Sequence, residues 1–188
     1  MTYACRITSA AAIVSLGCAA SQGVPAGSGV ERVQIVHTVQ GEDVVVTTEE
    51  GTVTSEPVDS PLPQVWAALW VAYAELGIPL AIRDTVRTEI GNTGFRPRRI
   101  GGMRLSEYLE CGRGITATPN ADRYDVTVSL KTRLREAEGG GTVLTTELNA
   151  TAKPRDVSTN AVRCSSKGTL ESRIVEGVKG ALRAANPS

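Results

Sequence analysis

The sequence predicts an α+β fold, an antiparallel sheet with an apolar helix and a C-terminal amphipathic helix packed on one face. Three observations lead there. Residues 123–134 and 142–152 alternate apolar with polar at the two-residue period of half-buried strands. Residues 61–76 are apolar on more than one side of a helix, which calls for cover from more than one neighbour. Residues 169–184 carry an apolar stripe at helical spacing. Strands gathered in runs, instead of alternating one by one with helices, favour antiparallel pairing with the helices on one face.

At the N-terminus, Arg6 precedes an uncharged stretch from Ile7 to Gly17, the layout of a secretory signal. The run is shorter than the roughly 20 residues a spanning helix needs. Ser15-Leu16-Gly17-Cys18 resembles the lipobox of bacterial lipoproteins, with Gly17 and Cys18 on pattern and Ser15 off it, where an aliphatic residue is usual. The resemblance implies acylation at Cys18. Ordinary signal-peptidase cleavage after Ala20 or Ala26 is the alternative. Residues 1–17 are thus expected to be a signal peptide, and 18–29, rich in Gly, Ser and Pro, a lipidated flexible tether. Acyl chains at about 0.8 kcal/mol per buried methylene would hold the chain on a membrane without a spanning helix. Residues 30–188 are expected to form a single α+β domain, with 30–58 either a small strand add-on or edge strands of the main sheet.

Along that domain, Val33, Ile35, His37 and Val39 alternate with polar neighbours as a first strand. Val44 to Thr48 and Thr52 to Ser55 follow as a second and third. The helix 61–76 begins after Ser60, a candidate N-cap, with Pro61 and Pro63 suited to its first turn, and Gly77 ends it. Val65, Leu69, Ala72 and Leu76 form one stripe. Trp66, Trp70 and Tyr73 form a second, either core or an aromatic ridge for a partner or ligand. Residues 79–83 and 88–95 are expected strands, and Leu105 to Cys111 a short helix. Tyr124, Val126, Val128, Leu130, Thr132 and Leu134 share one face of the next strand. Gly139-Gly140-Gly141 turns the chain into its partner, whose inward residues are Leu144, Thr146, Leu148, Ala150 and Ala152. A strand near 161–165 precedes the last helix, whose stripe is Leu170, Ile174, Val178, Ala181 and Leu182. Gly177 and Gly180 weaken that helix and allow close approach to the sheet.

Four cysteines occur. Cys5 leaves with the signal and Cys18 takes the lipid. Cys111 and Cys164 remain, and in an exported protein such a pair most simply forms a disulfide. No Cys-x-x-Cys spacing or further ligand supports a metal or redox reading.

Twenty basic residues balance twenty acidic ones, which argues against a dedicated nucleic-acid binder. The one local departure is Arg96-Pro-Arg98-Arg99-Ile-Gly-Gly-Met-Arg104, four arginines without an acid among them. The loop is either solvated surface or a contact for anionic headgroups or an acidic partner near the membrane. Gly112-x-Gly114-x-x-Ala117 mimics a dinucleotide fingerprint. Pro119 and Asn120 and then a strand follow it, where phosphate binding needs a helix, so it reads as a turn. His37, the single histidine, has no nearby ligands to make a metal site. Signatures pairing a nucleophile with a base are absent, and no metal or cofactor is called for.

Val65-Trp-Ala-Ala-Leu-Trp-Val-Ala-Tyr-Ala-Glu-Leu-Gly77, followed by Ile82-Arg-Asp84, resembles the helix-to-strand opening of helix-grip modules in BamC-type (NlpB) envelope lipoproteins. The resemblance covers about Pro61 to Leu182. It implies a helix laid over an antiparallel sheet and a role as an accessory binding subunit, and it carries no functional residues across. The expectation is therefore a non-catalytic exported lipoprotein at the cell envelope, held on a membrane by its lipid, with an envelope protein or anionic lipid as partner. The alternative is a soluble periplasmic carrier or enzyme for a small apolar ligand held between the aromatic helix and the sheet.

Overall fold

The computed structural model describes residues 31–37, 43–49, 52–113, 117–155 and 160–186. The expected signal peptide and tether with Cys18, and residues 114–116 of the expected glycine-rich turn, lie outside them. The chain runs as strands β1 (Glu31–His37), β2 (Asp43–Glu49) and β3 (Thr52–Val58), helix α1 (Leu62–Glu75), then β4 (Ile82–Asp84), β5 (Glu89–Phe95), β6 (Arg99–Ile100) and β7 (Met103–Arg104). A 3-10 turn (Leu105–Glu107) leads to β8 (Leu109–Glu110), a one-turn helix α2 (Asn120–Arg123), β9 (Asp125–Glu136), β10 (Thr142–Lys153), β11 (Val162–Ser166) and helix α3 (Thr169–Ala185).

The fold is α+β. Seven strands form an antiparallel sheet in the order β4-β5-β9-β10-β11-β8, with β3 paired to β10 as well. Strands β1 and β2 pair with each other as a separate antiparallel ribbon. The long β9–β10 hairpin is the spine. Its register sets Val128 opposite Ala150, Leu130 opposite Leu148, Thr132 opposite Thr146 and Leu134 opposite Leu144, every one buried. Alternation in sequence thus becomes one apolar face, and α1 and α3 lie against each other over it.

Helix α1 starts at Pro61, extended at φ −60° and ψ 144°, and carries no side-chain cap. Ser60 is not its N-cap: its backbone N–H donates to the Val58 carbonyl (2.9 Å) and its own carbonyl accepts from Thr142 Oγ1 (2.8 Å). Ser60 is spent tying the end of β3 to the start of β10. At the other end Gly77, at φ 67°, sends its N–H to the Ala74 carbonyl, and Ile78 sends its own to Tyr73, both at 3.0 Å. This double bond pattern closes the helix, and only glycine enters it without a Cβ penalty.

The close approach of α3 is to α1 and not to the sheet. A Cβ on Gly177 would stand 2.9 Å from the Ala72 Cβ, whereas one on Gly180 would meet nothing within 4 Å. The expected short helix at Leu105 to Cys111 is only a single 3-10 turn. The chain then straightens into β8, which pairs with β11 through Glu110 and Ser165. That pairing brings Cys111 to Cys164, which form a disulfide. The chain after Pro119 is not strand at once either, because Asn120–Arg123 makes one helical turn first.

Candidate functional site: a basic cleft at the end of the sheet

The four sequence-predicted arginines come together. Arg96 and Arg98 lie on the link from β5 to β6, Arg99 on β6 and Arg104 on β7, and all four are exposed and line one cleft of about 500 Å³. Three further charged residues join them: Asp122 from α2, Asp125 from the start of β9 and Arg155 from just beyond β10. The buried side chains of Leu105, Ala121 and Val126 supply its apolar lining.

Local structure explains the convergence. Gly101 and Gly102, at φ 53° and 78°, form the two-residue turn between β6 and β7, a geometry that requires left-handed backbone at both positions. The turn is anchored on the helical layer. The Gly101 N–H donates to the Leu76 carbonyl at 2.9 Å, and a Cβ on Gly101 would stand 2.8 Å from Leu76 Cδ2. Beneath it, the buried Tyr108 hydroxyl donates to the Ile100 carbonyl (2.9 Å), and Arg173 of α3 donates to that hydroxyl and to the Gly101 carbonyl. With its turn pinned, the ribbon holds Arg99 directly opposite Arg104. Like charges across a strand pair repel, so the arrangement works against stability.

The carboxylates are largely engaged. Asp122 accepts from the Ser106 backbone N–H (3.0 Å) and from its hydroxyl (2.7 Å). Asp125 accepts from Arg155 Nε at 2.9 Å. Arg99 donates to the Gly102 carbonyl at 3.0 Å. Among the described residues Arg96, Arg98 and Arg104 make no ion pair. Five guanidinium groups therefore face two bound carboxylates, and the cleft keeps a positive excess in a chain whose formal net charge is zero.

Asp122, Asp125 and Arg155 were missed in the sequence because they stand 26 to 59 residues from Arg96. A usable signal existed for two of them. The turn at Gly139–Gly141 fixes the β9–β10 register, which sets Asp125 opposite Lys153 and so leaves Arg155 beside Asp125.

The aromatic stripe divides. Tyr73 is fully buried between α1 and the sheet, with its hydroxyl bonded to Thr132 Oγ1 (2.9 Å), which in turn meets Thr146 Oγ1 (3.0 Å). Burial pushes its phenol pKa well above the ordinary value, the Thr132 bond opposing, so Tyr73 stays neutral. Tyr73 is core and no part of a ridge. Trp66 and Trp70 are half-buried, edge to face at 6.0 Å, with the Arg83 guanidinium 5.3 Å over Trp70. His37 lies on β1, its side chain outside the described set. Among the described residues no group of three or more His, Cys, Asp or Glu is placed to hold a metal, and no helix is long and apolar enough to cross a membrane.

No family model matches the chain, and no curated protein matches its sequence.

Proposed function

We propose that this chain is an exported, lipid-anchored and non-catalytic accessory protein of the cell envelope, whose folded domain holds an anionic group in the arginine cleft. The observation that carries the binding half of this reading is the cleft. Arg99 and Arg104 are set face to face by a pinned ribbon, and Arg96 and Arg98 are added to them. Repelling charges held together in a concavity are poised for an anion that relieves the repulsion. The envelope half rests on the apolar run ending at Gly17-Cys18 and is supported by the Cys111–Cys164 bridge, a bond at home in oxidising compartments. The likeness of Val65 to Asp84 to BamC-type helix-grip lipoproteins supports the same reading. The carrier alternative is less well supported, since Val65, Leu69, Tyr73, Ile90, Leu130, Leu144 and Leu148, each 2% exposed or less, occupy the space between helix and sheet.

Each half has its own test. Full chain expressed with its leader in a bacterial host should incorporate labelled palmitate, and Cys18→Ser should abolish the label. An unacylated product starting at Ser21 or Gly27 would refute the anchor. The Cys18→Ser chain, free of lipid, should bind vesicles rich in anionic lipid at low salt, with binding weakened by added salt. Replacing Arg96, Arg98 and Arg99 by Gln should weaken it with folding unchanged. Equal binding by that variant would remove the cleft from the account.

A further inference from the structure

Resting on the reading of the cleft as an anion site, we infer that its ligand is a phosphate ester carrying free hydroxyls, and not a carboxylate. Three features of the cleft set that chemistry.

The first is the donor count. Each guanidinium offers five N–H donors in a planar fork. Arg96, Arg98 and Arg104 have no carboxylate partner among the described residues, and Arg99 spends only one bond on the Gly102 carbonyl. A single carboxylate has two oxygens and one negative charge and would leave most of these forks idle. A phosphoryl group presents three terminal oxygens in a tetrahedral array and about −1.5 to −2 charges at neutral pH. Guanidinium forks arriving from both strands of a ribbon match that array better than a flat carboxylate.

The second feature is size. A cleft of about 500 Å³ falls within the 300 to 1,000 Å³ typical of small-molecule sites and is far larger than a phosphate ion. Something attached to the phosphoryl group fills the remainder.

The third is the opposite wall. Asp122 and Asp125 face the same space, and a wall of two carboxylates suits no purely anionic ligand. Both are held in place by protein donors, Ser106 on one and Arg155 on the other. An ionised carboxyl accepts at about four lone-pair positions, so each keeps acceptor capacity for a ligand hydroxyl. Arginines on one side and anchored aspartates on the other sort a phosphate ester by its two ends. Free glycerol phosphate and its monoacyl lipid, lysophosphatidic acid, share this chemistry, since each carries a phosphate monoester beside a free hydroxyl.

The test is calorimetric titration of the full chain in neutral detergent. Glycerol phosphate should bind, and inorganic phosphate should bind more weakly because it leaves the aspartate wall unused. Arg98→Gln and Arg104→Gln should each weaken the ester by about tenfold or more, the scale of one lost charge-assisted contact. Asp125→Asn, which keeps an acceptor oxygen but can turn its amide to the ligand, should shrink the preference for ester over inorganic phosphate. Arg83→Gln, an exposed arginine on the Trp70 surface, should change nothing. Nanodiscs doped with lysophosphatidic acid that displace the soluble ester would assign the ester to a lipid headgroup. Retention of the ester against such discs would assign it to a soluble molecule. Citrate or succinate binding as tightly as the ester, with the same arginine dependence, would overturn the phosphoryl assignment and leave the anion-binding reading standing. No binding of any of these anions at low salt would overturn both.

Discussion

Under the helices, β9 and β10 set Leu130 opposite Leu148 and Leu134 opposite Leu144, all buried at 2% exposure or less. Beyond the beginning of β9, β6 and β7 set Arg99 opposite Arg104, both open to solvent. In the first region each cross-strand pair removes apolar area from water, and local preference agrees with the global fold. In the second, the cross-strand pair repels, and the ribbon is held from outside by Leu76, Tyr108 and Arg173. The contrast separates residues that make the fold from residues the fold is made to hold. Strain against local preference tends to gather at functional sites.

The Cys111–Cys164 disulfide ties the end of β8 to β11 at the edge of the sheet, and breaking it should give the largest effect. Cys111 and Cys164 are 53 residues apart, and the chain-entropy estimate for such a loop is about 4 kcal/mol. The loop it closes holds α2 with Asp122 as well as the β9–β10 hairpin, and next to the bridge the Asn120 amide donates to the Cys111 carbonyl at 3.1 Å. Replacing both cysteines by Ser should lower the melting temperature substantially. Hydrogen exchange should then quicken most in residues 105–124, and less in β9 and β10, whose pairing does not depend on the bridge. Uniform loss of protection would mean that the two regions unfold as one unit.

A smaller effect probes the helical cover alone. Gly177→Ala would force a methyl against Ala72, an overpacking change of about 1 to 3 kcal/mol. Gly180→Ala, three residues on, meets open space and should stabilise the helix by about 0.5 to 1 kcal/mol. Chemical denaturation of the two variants should therefore move the midpoint in opposite directions. Movement in the same direction would mean that α3 does not meet α1 at Gly177.

The helix-covered region was legible in the sequence because burial imposes periodicity. The β9 and β10 faces, the extent of α1 and α3, the stop at Gly77 and the Cys111–Cys164 pair could all be named from the residues alone. What escaped was short or non-local. Strands of two residues such as β8, and a helix of one turn such as Asn120–Arg123, leave no period to detect. Ser60 looked like a cap by type, but tertiary contact with Thr142 claimed its carbonyl. Tyr73 shares the helical spacing of Trp66 and Trp70, and only the position of Thr132 on the facing strand tells core from surface. The arginines of the cleft were visible as a run without acids. Of their aspartate wall, Asp125 follows only once the register of the hairpin is worked out, and Asp122 not at all, because the one-turn α2 leaves no period.

The smallest expected effect is the sharpest test of the contrast. Removing a charge usually leaves stability alone or lowers it, but Arg104 sits opposite Arg99 and makes no ion pair among the described residues. Arg104→Gln keeps most of the side chain and removes the like-charge pair, a term of a few tenths of a kcal/mol for exposed cross-strand neighbours. The melting temperature should rise by about 1 °C at low salt. Because the repulsion is between exposed charges, raising the salt should shrink the difference, as the screening length falls to about 3 Å at 1 M. Leu130→Ala, on the helix-covered face, should do the reverse in both respects. It should destabilise by about 2 to 5 kcal/mol through loss of burial and the cavity left behind, with little dependence on screening. The two variants thus differ in sign, in size and in response to salt. A fall in melting temperature for Arg104→Gln would show that the guanidinium contributes to folding, and the distinction between the two regions would fail at the residue where it is most exposed.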